Sequence, residues 1–172
     1  MKTKTTTFRI NESYSNELDI IAEENKISTN ALVNQIIGEY VTIEKPMKQY
    51  GVITGSTDLF LELINTLDKK DLKRIGEKIG SSEPKEFIKL KWNEITRGTV
   101  LEFISIYCNH CGYGRPEIIS TNETIKIIIN HGLGEKFSTY LESFVEAMIK
   151  STLGKKCTFN SRKSMILISI PE

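Results

Sequence analysis

Three cysteines and two histidines carry the chain's obvious metal and thiol chemistry, and three of the five fall in one short stretch, Cys108-Asn109-His110-Cys111. Thiols at i and i+3 with a histidine between them suit one corner of a tetrahedral Zn²⁺ site, and Cys157 would be the third sulfur. Cys108, His110, Cys111 and Cys157 are therefore the expected ligands of zinc or another transition metal. Two other readings fit the same residues: buried, inert cysteines, or a reversible Cys108 to Cys111 thiol switch, which requires one thiolate of lowered pKa. His131 is expected to lie at the far end of the sheet from these thiols.

A second chemistry-bearing group lies near the start. In Thr5 to Ile10, Thr6, Phe8 and Ile10 alternate with Thr5, Thr7 and Arg9, so a strand here presents one apolar and one polar row. Threonine hydroxyls and a bidentate arginine are groups that read base edges in the major groove, and Lys4 adds charge for phosphates. Further on, His131, Gly132, Gly134 and Lys136 gather amides and a cation before a long helix. That turn is either an anionic-effector pocket or a plain strand-to-helix connection.

These groups need elements to hold them. Helical spacing of Leu18, Ile21 and Ala22 predicts a helix from about Ser13 to Asn25, capped by Asn11 or Ser13. A second helix, capped by Ser28, carries Ala31, Leu32, Ile36 and Tyr40 and ends near Thr42. Amides at Ser28, Thr29 and Asn30 would clamp a phosphate at its N-terminus. Asn25 is expected to take the left-handed conformation in the turn.

The order strand, helix, tight turn, Ser-capped helix resembles the Arc, MetJ and CopG-like ribbon-helix-helix repressors over about the first quarter of the chain. The resemblance implies an intertwined homodimer that reads a palindromic double-stranded DNA operator, with Lys4, Thr5, Thr7 and Arg9 on the reading face and Ser28, Thr29 and Asn30 on phosphates. Where that family often has glycine in the turn, this chain has Lys26.

Residues 46–172 remain for a second domain after a linker at 43–46, where Pro46 disfavours helical Lys45. Strands are predicted at Tyr50 to Thr54, Thr99 to Cys108, Glu123 to Asn130, Lys156 to Phe159 and Ser164 to Ile170. Helices are expected over about Thr57 to Ile79, with a break near Asp68 to Asp71, after Pro84, and over Leu133 to Leu153. The glycines and Pro116 of CNHCGYGRPEIIST predict a loop. The whole reads as α+β: a ribbon-helix-helix domain (1–45) and a ferredoxin-like or ACT-like sensor domain (46–172). This layout is similar to that of the nickel-responsive regulators, though with His110 and His131 alone their nickel site does not transfer, and it implies a dimer or tetramer.

Lysine and arginine total 23 against 22 acids, so net charge gives no general affinity for DNA. The first helix is acidic through Glu12, Glu17, Asp19, Glu23 and Glu24, which leaves affinity to local charge doubled by pairing. No apolar run approaches the roughly 18 residues of a membrane span, and MKTKTTT lacks a signal peptide's apolar core; a cytoplasmic protein is expected. No nucleophile, base and acid fall in a hydrolase spacing, and no Walker or dinucleotide loop is present, so an enzyme is not expected. The leading expectation is a prokaryotic transcription regulator, a repressor in the resembled family, sensing a metal, redox state or small effector. The alternative is an antitoxin-like protein that holds a protein partner through its second domain.

Overall fold

A computed structural model describes residues 4–121 and 123–171. The chain is α+β and divides into two compact units, Met1–Gln49 and Tyr50–Glu172.

In the first unit, residues 4–10 are exposed and belong to no helix or ladder. The expected strand is not formed: a strand needs a partner, and among the described residues no other segment supplies one. Helix α1 (Glu12–Glu24) starts at Asn11, whose side chain accepts from the Ser13 amide. Its end corrects the expectation for the turn. Asn25 stays right-handed, and Lys26 takes the left-handed position at φ 56°. The Ile27 amide donates to the Ala22 carbonyl and the Lys26 amide to the Glu23 carbonyl, the paired bonds of a Schellman cap. Lysine thus stands where glycine is free of strain.

Helix α2 (Thr29–Glu39) is capped by the Ser28 hydroxyl, which accepts from the Ala31 amide at 3.2 Å. The expected linker is helical instead. A π-helical turn, Tyr40–Glu44, leads directly into α3 (Lys45–Tyr50), with Lys45 right-handed before Pro46. The proline ring crowds the carbonyl four residues back, and a widened turn just before it relieves that clash.

The second unit opens with α4 (Thr57–Thr66), α5 (Lys69–Trp92) and α6 (Arg97–His110). Three expectations fail here. Tyr50 ends α3 and residues 52–56 belong to no helix or ladder, so no strand forms at Tyr50 to Thr54. Helix α5 runs unbroken through Pro84, which is buried with Gly76 and Gly80 at four-residue spacing, and the two glycines let α7 come close. The predicted strand Thr99 to Cys108 is helix α6. Thr96 and Thr99 form a reciprocal capping box, and Val100, Phe103, Ile104 and Cys108 are buried at helical spacing, which outweighs their β propensity.

Strands β1 (Pro116–Ser120), β2 (Thr124–Asn130), β3 (Thr158–Arg162) and β4 (Met165–Pro171) form one antiparallel sheet in the order β1-β2-β4-β3. Between β2 and β3 runs α7 (Gly134–Leu153), close to the predicted helix and closed by left-handed Gly154. Ile125, Ile127 and Ile129 of β2 pair with Ile170, Ile168 and Ile166 of β4, and all six are buried on one face. The ferredoxin-like order does not form, since it needs a strand ahead of the first helix and that segment is helical or unpaired. β1, within the stretch expected as a loop, was hidden by Pro116, which sits where an edge strand tolerates it.

Candidate functional site

The expected metal corner is built on a helix end. Cys108 is buried on the last turn of α6, Cys111 is its C-cap, and Tyr113 returns its amide to the Cys108 carbonyl at 2.8 Å. Gly114, at φ 100°, crosses the end of β2 so closely that an added Cβ would lie 2.0 Å from the Asn130 carbonyl oxygen. Cys157 precedes β3, where Glu146 of α7 is among its charged surroundings. Among the described residues, no three of His, Cys, Asp or Glu come together as a metal-holding group. The expected convergence of Cys108, His110, Cys111 and Cys157 depended on a strand climbing the sheet to Cys108. A helix ends there instead.

The thiols are also poorly suited to a redox switch. Burial pushes Cys108 up to about 12 and Cys111 and Cys157 up to about 11. A switch cysteine needs the opposite displacement. All three cysteines are free.

The proposed effector turn is filled by its own side chains. His131 is buried; its Nδ1 accepts from the Leu133 amide at 3.0 Å and its Nε2 meets the Ser138 hydroxyl at 2.9 Å. Because Nδ1 accepts, the neutral ring carries its proton on Nε2. Burial holds its pKa below the usual histidine value. Lys136 is committed as well. Its ammonium donates to the Asn65 and Leu67 carbonyls at 2.8 and 2.7 Å, closing the C-terminal end of α4. Gly132 and Gly134 have φ of 66° and 82°, so their role in the turn is conformational.

The residues expected to meet DNA are differently placed. Lys4, Thr5, Thr7 and Arg9 are exposed, as are Phe8 and Ile10 between them. At the start of α2, the first amides have no acceptor within the helix and point out of its end. Thr29 donates its hydroxyl to the Asp19 carboxylate at 2.6 Å, and the Asn30 carbonyl accepts from the Asn34 side chain. Asp19 thus lies beside the helix end expected to hold phosphate. Sequence reasoning missed it, although its acidity in α1 was plain.

No protein family matches the chain, and no curated protein matches it. Among the described residues, no helix is long and apolar enough to cross a membrane.

Proposed function

We propose that the chain is a DNA-binding transcription regulator that works in the cytoplasm as a homodimer, its first unit completing a ribbon-helix-helix fold only when two copies pair. The uncovered apolar surface of the first unit carries this reading. Phe8 is 56 % exposed, Ile36 48 % and Tyr40 50 %, with Ile10, Ile37 and Val41 also open, whereas α1 and α2 bury only Ala22 and Leu32. Helices this short hold together through packing, and this pair has little of it within one chain. Pairing residues 5–10 with the same segment of a second copy would satisfy the backbone, cover Phe8 and Ile10, and turn Thr5, Thr7 and Arg9 outward together.

The test joins mass in solution to selection of genomic DNA fragments. A dimer is expected, with Phe8→Asp shifting it toward monomer and Arg9→Ala leaving the dimer intact but abolishing selective binding. A monomeric wild type, or an Arg9→Ala variant that selects the same fragments, overturns the reading.

The second reading, an antitoxin-like protein holding a protein partner, draws on the open face of the sheet. Ile128 and Leu167 lie opposite each other there, both half-buried, with Ile119 exposed on the same face. Copurification of one heterologous protein in fixed proportion, lost in Leu167→Asp, would favour it.

A further inference from the structure

The second unit contains a cleft of about 360 Å³ that shares only His110 and Cys111 with the expected sites. One wall is formed by residues 52–56 and the first turns of α4; the other is the turn that ends α6, with His110, Cys111 and Tyr113. Among the described residues, no lysine, arginine, aspartate or glutamate lines it. Its size falls at the lower end of small-molecule sites.

Two properties define the occupant. The first is lack of charge complementarity for any ion: a charged ligand entering this cleft would lose hydration with no opposite fixed charge to replace it. The second is an apolar lining that water now wets. Ile53 is 92 % exposed and Leu59 and Leu63 are each 57 % exposed, while behind them Phe60 stacks on Tyr113 with ring centroids 5.8 Å apart. Tyr113 in turn packs on buried Phe137 at 4.8 Å, so the aromatic floor is anchored in the core. A flat apolar molecule would cover the open side chains and stack on rigid rings.

We propose that this cleft binds an uncharged, mainly apolar small molecule about the size of a two- to three-ring aromatic, and that such a molecule is the regulator's effector. The effector role rests on the function proposed above; the binding site does not. Residues 52–56 lie in the second unit, a few residues after its boundary with the first. A ligand packed on Val52 and Ile53 orders the start of the second unit, and in the proposed regulator that ordering is what biases operator binding.

The experiment uses full-length protein without DNA and the uncharged fluorophore phenylnaphthylamine. Saturable fluorescence enhancement is expected at one probe per chain. Leu63→Asp, which sets a charge on the wall, weakens binding by about tenfold or more, whereas Leu90→Asp, at an exposed leucine of α5 outside the cleft, leaves it unchanged. Thermal melts of both variants establish that each is folded. The chain has two histidines, so their ring NMR signals separate readily, and the His110 signal should move on titration. Absence of saturable binding, equal loss in both variants, an unmoved His110 signal, or tighter binding of the anionic anilinonaphthalene sulfonate overturns the site. Probe binding by a protein that selects no DNA retains the site and removes the regulator; selective DNA binding unaffected by saturating probe removes the effector role alone.

Discussion

Gly80 of α5 faces the backbone of Phe144 in α7 so closely that a Cβ added to the glycine would stand 2.2 Å from the Phe144 carbonyl oxygen. One turn earlier, Gly76 meets the Tyr140 carbonyl in the same way, at 2.6 Å. Neither obstacle is a flexible side chain, so a methyl group can be admitted only by moving one helix off the other. Gly80→Ala should therefore destabilise the protein by about 3 kcal/mol in urea denaturation, despite alanine's better helix propensity. Gly98→Ala, where the nearest atom is 3.8 Å away, should be neutral or stabilise slightly. Equal effects at the two positions would mean that α5 and α7 are less closely apposed than this.

Lys26 offers the opposite case. A non-glycine residue in the left-handed region costs about 1 kcal/mol, and the Schellman bonds around Lys26 require that conformation. Lys26→Gly should stabilise the first unit by about that amount, while Lys26→Ala should give no gain. Denaturation of the two variants side by side tests this, and a destabilised glycine variant would count against the turn.

The Lys26 turn and Gly80 also mark the limit of what could be read in the sequence. The turn after α1 was visible because caps are local: Asn11 and Ser28 announce their helices within three residues. The continuity of α5 was not visible. Pro84 signals a break, and only the approach of α7, some 60 residues later in the chain, makes Gly76 and Gly80 a packing surface. α6 failed for a related reason. Thr99 to Cys108 is dense in β-formers, yet Val100, Phe103, Ile104 and Cys108 also keep helical spacing, and burial decided between the two patterns. At β2 and β4 the strands themselves were legible, as Glu123 to Asn130 and Ser164 to Ile170, because each is a short run dense in β-formers. The metal site inherited the error in α6, since its geometry was drawn from a strand that is a helix.

His131 should make stability depend on pH. Its folded pKa lies below the ordinary 6.5, so the unfolded chain takes up the proton first. His131 contributes most above pH 6.5, and that contribution falls as pH drops from 6.5 through the lowered folded value. Below that value the loss is complete. The cause is local: a protonated ring loses Nδ1 as an acceptor for the Leu133 amide in a buried setting. Urea midpoints at pH 7.5 and 5.5 should differ for the wild type, and the difference should shrink in His131→Asn. An unchanged difference would place the titration elsewhere.

Lys136 should behave as a helix cap. Lys136→Met removes the donor to the Asn65 and Leu67 carbonyls, with an expected cost of about 1 kcal/mol. Hydrogen exchange should then speed up in α4 more than in α5. Were Lys136 an effector anchor instead, the variant would lose affinity for phosphate or a carboxylate and leave α4 unchanged.

The sheet's margins bear on how copies of this protein can associate. β1 and β3 are its two outer strands, each five residues long, and they carry Pro116 and Glu117 on one side and Asn160 and Arg162 on the other. Proline withholds a donor, the strands are short, and charged groups resist stacking, so neither margin is a good template for a further strand. Growth of the sheet into fibrous assemblies is thereby discouraged. Residues 4–10, in contrast, are exposed and belong to no helix or ladder. If copies of this chain associate, the sheet's margins are not where a further strand would add.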